Sequence, residues 1–189
     1  MTTLTGIVLA AGAGTRLGRP KALLSTPDGE PWLARATTLL QAAGCDLVVV
    51  VLGAEAQRAT TLVPPSAEVV VAEEWASGMS ASLRAGLTAA TGDAALVTLV
   101  DLPHLPLAVV QRVLRGGAAR DSLRQAVFEG RPGHPVLMGR SHWDAASRTL
   151  TGDRGARHYL VASGVDEIEC GDLFDGRDVD STTDSSSPR

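Results

Sequence analysis

The sequence predicts an α/β fold: a three-layer sandwich built on a mostly parallel, Rossmann-like sheet with an antiparallel addition. Two observations carry that expectation. Short apolar runs at residues 7–11, 47–52 and 94–100 alternate with segments whose apolar residues recur at helical spacing, the pattern of right-handed crossovers between parallel strands. The composition agrees, because 44% of residues are hydrophobic but only 3% aromatic, so the core must be made of Ala, Val and Leu, as strands buried on both faces require.

Each element follows from its own stretch. Residues 5–10 form a first buried strand, roughly 20 Å long at ~3.3 Å per residue. A Pro-, Asp- and Gly-rich turn over 25–30 leads to a helix over 31–43, where Trp32, Ala36, Leu39, Leu40 and Ala43 share a face and Gly44 is the stop. Leu47 to Leu52 is the second strand, a helix over 54–62 is closed by Pro64 and Pro65, and residues 68–72 make the third strand. The loop over 73–80 opens a helix over 80–90, with Ser80 as its N-cap and Leu83 and Leu87 turned inward. Residues 94–100, the most apolar strand, should lie centrally and end at Asp101, before a helix over 106–114. Residues 116–124 suit a turn or a short exposed helix. Two antiparallel strands, 125–128 and 134–138, flank Glu129 to Gly133. A helix over 141–149 anchored by Trp143, a loop over 150–157 opening a helix to about residue 163, and a strand within 164–170 complete the chain.

At 189 residues the chain is long enough for one sizeable core, and we expect one domain over residues 1–184 with a disordered tail at 185–189. A net charge of −4 and few aromatics give neither the electrostatic footprint nor the stacking platforms of a nucleic-acid binder. Cys45 and Cys170 are too few and too far apart for a metal knuckle or a redox CxxC, and are expected to be free thiols. No run of about 18 apolar residues and no basic leader occurs, which predicts a soluble, cytoplasmic protein without a membrane partner.

Ligands of parallel sheets bind at the carboxyl ends of the strands, and the polar residues cluster in the loops that follow them. After the first strand, Gly12, Ala13 and Gly14 leave a backbone able to approach a ligand closely, and Arg16 and Lys21 follow; a glycine turn with two cations suits phosphate. It is not a P-loop, since Pro20 and Ala22 flank Lys21, and Gly12, Gly14 and Gly18 are spaced one residue too long for a dinucleotide fingerprint. Asp101 at the end of a central strand is expensive to bury without a positive partner; a divalent metal such as Mg²⁺ answers that need, and capping of the next helix is the alternative. A second acid is available in the tail, where Asp178 and Asp180 share a face if the segment is extended. The Gly78, Met79, Ser80 stretch suits a base or ribose. His134 suits either an anionic second substrate or a backbone bond, and Arg154 with Arg157 at a helix start either an anion or a solvated face.

LAAGAGTRLGRPK, followed by VDLP after a central strand, resembles the nucleotidyltransferases of the molybdenum cofactor type, members of the MobA-like NTP transferase superfamily with a nucleotide-diphospho-sugar transferase-like fold. EEWASGMSASLRAGL, GRPGHPVLM, GDRGAR and DVDS are similar in order and spacing to molybdenum cofactor cytidylyltransferases, so the resemblance spans nearly the whole chain. It implies Mg²⁺-dependent transfer of CMP from CTP to the terminal phosphate of molybdopterin with release of pyrophosphate, and LAAG in place of LAGG implies CTP. By the same resemblance Arg16, Lys21 and Asp101 are catalytic. Leu9, Ala10, Ala11, Gly12, Gly14, Thr15, Arg16, Lys21, Gly78, Met79 and Ser80 bind the nucleotide; His134, Asp153 and Arg157 face the acceptor; and Asp101 and Asp180 hold the metal. Transient contact with a molybdoenzyme or its chaperone is implied as well. The family's last motif, D-[IV]-D-T-P-E-D, stands here as Asp178 Val179 Asp180 Ser181 Thr182 Thr183 Asp184, keeping both leading acids but not the proline and glutamate. Transfer to a sugar phosphate or other small phosphate, and a non-catalytic nucleotide- or pterin-binding carrier, are the alternatives.

Overall fold

The computed structural model describes residues 2–15 and 17–179. Its centre is a seven-stranded sheet of order β3-β2-β1-β4-β6-β5-β7, built from β1 (Leu4–Ala10), β2 (Leu47–Leu52), β3 (Glu68–Val71), β4 (Ala94–Leu99), β5 (Leu123–Phe128), β6 (Arg131–Gly139) and β7 (Asp166–Glu169). The expected central strand is indeed the fourth of seven. Pairing is parallel throughout β3-β2-β1-β4 and between β5 and β7, and antiparallel where β6 meets β4 and β5, so β6 alone runs against the rest. The antiparallel addition is therefore one reversed strand, with β5 and β7 restored to the common direction.

Among the described residues, six α-helices cover the sheet: α1 (Trp32–Ala42), α2 (Ala56–Thr60), α3 (Met79–Ala89), α4 (Leu107–Val113), α5 (Arg140–Thr149) and α6 (Arg157–Ala162). The period-2 alternation of the strands sorts them into two layers. Val8 and Ala10 of β1, with Val48, Val50, Leu96 and Leu137, pack under α1, α2 and α4. Ile7 and Leu9, with Val49, Val51, Val97 and Met138, pack under α3, α5 and α6. Two cations close helix ends in the manner of C-caps: Arg124 donates to the carbonyls of Val113, Arg115 and Gly117 beyond α4, and Arg84 reaches Leu150 O at the end of α5.

Several local expectations are corrected. The second helix is a single turn and a half, Ala56–Thr60, because Glu55 takes a left-handed φ of 51° and starts it late. Gly78, not Ser80, occupies the N-cap of α3, and Ser80 lies inside the helix, buried, with Oγ unpartnered among the described residues. The β5–β6 connection is a two-residue turn at Glu129 and Gly130, with φ values of 53° and 74°, so β6 begins three residues earlier than the apolar pattern suggests. Glu169 at the end of β7 secures that turn by accepting the N–H groups of Glu129, Gly130 and Gly171, and these bonds hold its carboxyl below the usual range. Cys45 and Cys170 are free, as expected, although only Cys170 is fully buried; burial pushes the Cys45 thiol up to about 12.

Candidate nucleotide-binding site

The register sets β1, β2 and β4 to end together, since Leu9 pairs with both Val51 and Leu99, and their loops leave the sheet at one level. The loop after β1 folds back on itself. A Cβ on Gly14, whose φ is +61°, would fall 2.0 Å from Arg19 O, so only glycine permits the return that brings Lys21 over the strand ends. Lys21 begins a short 3-10 turn anchored by the buried Ala22, and its Nζ donates to Asp101 Oδ2 at 2.8 Å. Both side chains are largely buried, at 18% and 15% exposure. Burial pushes the Asp101 carboxyl above the usual carboxylate range, the Lys21 ammonium pulls it back, and the charge of Asp178 adds to the rise. Asp101 Oδ1 is buried with no hydrogen-bond partner among the described residues.

The last described segment returns to this point. Val179, itself buried, donates its N–H to Asp101 O at 3.0 Å, which brings the backbone immediately before Asp180 against the Asp101 loop. Arg16 and Asp180, both expected in the site, lie outside the described residues, as does the expected disordered tail.

A cleft of about 450 Å³ opens over the strand ends. Of the residues expected to bind the nucleotide, Leu9, Ala10, Ala11, Gly12, Gly14, Thr15, Lys21, Gly78 and Met79 line it, together with Asp101. Ser80 does not; Ser82, two residues on, faces the cleft in its place. Asp153, expected on the acceptor side, also lines this cleft. Its neighbour makes the reason plain: Gly78 has φ +114°, and a Cβ there would fall 2.5 Å from Asp153 Oδ1 and 2.7 Å from Gly152 O, so glycine lets the turn at Gly152–Arg154 close onto the start of α3. Trp75, Ala76, Leu99 and Val100 complete the lining and were not anticipated. Trp75 was legible in principle, as a large aromatic in a loop after a strand.

A second cavity of about 200 Å³ adjoins the first and shares Leu9 and Met79 with it. His134 and Arg157 line it as expected, joined by Gln125 and Arg154 over an apolar floor that includes Val97 and Val136. Burial holds the His134 imidazole down to about 4, so it is neutral at pH 7, and the positive charge at this cavity comes from the two arginines.

A glycine loop, a Lys–Asp pair at its mouth and a second cavity beside it lie together at the carboxyl edge of the sheet. The family model of the MobA-like NTP transferase domain matches residues 6–167. The chain belongs to this family. Among its relatives, the nicotine blue oxidoreductase of Paenarthrobacter nicotinovorans is 41% identical, over 94% of this chain and 92% of that protein. The molybdenum cofactor guanylyltransferase of Rhodobacter capsulatus is 31% identical, over 76% of this chain and 67% of that protein. Rv0371c from Mycobacterium tuberculosis H37Rv superposes with a TM-score of 0.78 at 31% identity, covering 97% of this chain and 95% of that one. Its crystal structure in complex with manganese gives a TM-score of 0.72 at 28% identity, over 89% of each chain. The fold is thus that of the nucleotide-diphospho-sugar transferase-like nucleotidyltransferases.

The donor set fits a divalent cation that keeps substrate oxygens among its ligands. No group of three or more His, Cys, Asp or Glu side chains gathers among the described residues, yet Asp101 offers a buried carboxylate oxygen without a partner. One or two carboxylates plus phosphate oxygens is the usual arrangement for Mg²⁺. No helix among the described residues is long and apolar enough to cross a membrane.

Proposed function

We propose that this member of the MobA-like NTP transferase family transfers CMP from CTP to the terminal phosphate of molybdopterin, releasing pyrophosphate. The observation that carries the reading is the Lys21–Asp101 pair at the mouth of the glycine-loop cleft, with a second, arginine-rimmed cavity directly beside it. The guanylyltransferase name of the Rhodobacter capsulatus relative supports molybdopterin as the acceptor. The choice of CTP rests on Ala11 in LAAG.

The chain's own residues are suited to the chemistry. The acceptor, a phosphate monoester, is largely dianionic at pH 7 because its second pKa is about 6, so no general base is needed. The barrier is one of bringing anions together in line, which positioning and charge neutralisation lower. Backbone N–H groups of residues 11–14 approach the triphosphate, and Lys21 with Arg16 neutralises the departing pyrophosphate. The side chains at the second cavity orient the acceptor, with Arg157 and Arg154 meeting its charge and neutral His134 donating or accepting one hydrogen bond. Asp101 and Asp180 would hold Mg²⁺, which supplies charge neutralisation at the phosphates when bound. The reading assigns all these roles to one domain over residues 1–184.

The deciding experiment supplies CTP, GTP and a panel of phosphate acceptors including molybdopterin, and measures pyrophosphate. CTP- and molybdopterin-dependent release supports the reading; release with a sugar phosphate alone moves the acceptor, and tight CTP binding with no release from any acceptor favours a carrier. The nicotine blue oxidoreductase relative supplies a second reading, in which the same two cavities hold a redox dye and an electron donor. Bleaching of nicotine blue by the chain with NADH or NADPH, and no pyrophosphate release, would establish that reading instead.

A further inference from the structure

We infer that Trp75 forms the far wall of the base subsite and limits it to a single-ring base, an inference that rests on the nucleotidyl-transfer reading above. The sheet order sets the direction of the nucleotide. Along β3-β2-β1-β4, the carboxyl edge presents Trp75 after β3, Gly53 after β2, the glycine loop after β1, and Asp101 after β4. Lys21 and Asp101 hold the β4 side, where the triphosphate belongs. A nucleotide lying across the strand ends therefore places its base on the β2–β3 side, against Trp75.

Three observations make Trp75 a wall rather than a movable flap. A Cβ on Gly53 would fall 2.5 Å from Trp75 Cγ and 2.6 Å from its Cβ, so the base of the indole rests directly on the Gly53 backbone. That backbone is itself tied to the glycine loop, because Ala54 N–H donates to Ala11 O at 3.0 Å. Trp75 N–H donates to Ala72 O and Trp75 O accepts from Gly78 N–H, both at 3.1 Å, which fixes its main chain on either side. With the Gly53 backbone behind it and its main chain held before and after, Trp75 bounds the cleft on the β3 side. Unlike Trp32 and Trp143, which are buried in the two core layers, Trp75 is half-exposed and faces the cleft. A base stacked on it gains sequence-tolerant π contact, so discrimination between bases must come from the space available rather than from the face.

Isothermal titration of the full chain with CTP and with GTP, each with Mg²⁺, tests this in wild type, Trp75→Phe and Trp75→Ala. Wild type should prefer CTP by at least about tenfold, and Trp75→Ala should lose about tenfold in CTP affinity as the stacking face is removed. The CTP-to-GTP ratio should fall toward unity in Trp75→Ala and remain in Trp75→Phe. If Trp75→Ala fails to melt cooperatively, Trp75→Leu keeps the contact with Gly53, lowers the wall and carries the same expectation. An unchanged ratio in a folded Ala or Leu variant overturns the inference, as does a wild-type chain that binds GTP as tightly as CTP. A wild-type chain that binds neither nucleotide overturns the underlying nucleotidyl-transfer reading and the inference with it.

Discussion

Burial moves two titratable side chains beside these cavities in opposite directions, raising the Asp101 carboxyl and lowering the His134 imidazole. Asp101 keeps one oxygen on Lys21 and leaves the other buried and unpartnered. Asp101→Asn keeps the shape and removes the anionic ligand, so Mn²⁺ binding followed by electron paramagnetic resonance should be lost, and CMP transfer should fall by about 10²–10³-fold, as for loss of a preorganised charge-stabilising group. His134 is held near 4 by burial, against an ordinary value of 6.5. The unfolded chain therefore takes up this proton first as pH falls. Stability from this residue is intact above about pH 6.5 and is lost progressively down to about pH 4, by up to about 3 kcal/mol. Denaturation midpoints measured across that window should fall less steeply in His134→Gln than in wild type. Two glycines of the β1 loop separate fold from function. Gly14→Ala should cost about 1–3 kcal/mol in a melting experiment, since its φ is +61° and its Cβ would collide with backbone. Gly12→Ala meets nothing within 4 Å, so its stability should stay within about 0.5 kcal/mol of wild type while nucleotide affinity, measured by titration, drops.

At the scale of elements, the junction between the start of α3 and the turn at Gly152–Arg154 holds one wall of the cleft in place. Gly78→Ala forces a side chain into Asp153 and the Gly152 backbone, and should lower both the melting temperature and CTP affinity, whereas Gly12→Ala lowers affinity alone. Most elements were legible because their signals are local: the wholly apolar Leu47–Leu52, the helical spacing of Trp32, Ala36, Leu39, Leu40 and Ala43, and Gly44 after α1. The misplacements have physical causes that local pattern does not carry. β6 starts early because Arg131 and Pro132 pair with Phe128 and Val127 of β5 despite lacking an apolar pattern, the partner strand and the Glu169 carboxylate deciding the turn. Ser80 resembles an N-cap in sequence, but the positive φ of Gly78 begins the helix one residue sooner and turns Ser82 to the cleft. Asp153, which the resemblance of GDRGAR puts with His134 and Arg157 on the acceptor side, lines the first cavity, whereas His134 and Arg157 line the second.

Across the whole molecule, the cleft forms because three parallel strands stop at one level and the segment ending at Val179 comes back to Asp101. In the sequence that long-range return is implied only by the resemblance, which sets Asp101 and Asp180 on one metal, and no local pattern over residues 171–177 announces it. The two core layers on either side of the sheet keep those strand ends fixed. Leu40→Ala, at a fully buried position of α1 that touches neither cavity, should cost about 2–5 kcal/mol without altering the CTP-to-GTP ratio. Ligand should raise stability in turn: CTP with Mg²⁺ at about 100 times its dissociation constant adds ~2.7 kcal/mol, readable as a thermal shift of several degrees. Leu9 and Met79 each present one surface to the first cavity and another to the second. On the proposed two-substrate reading, displacement of the Met79 side chain by an occupant of one side would change the shape offered on the other and couple the two affinities. By thermodynamic reciprocity, whatever factor the first ligand imposes on the second is returned in full.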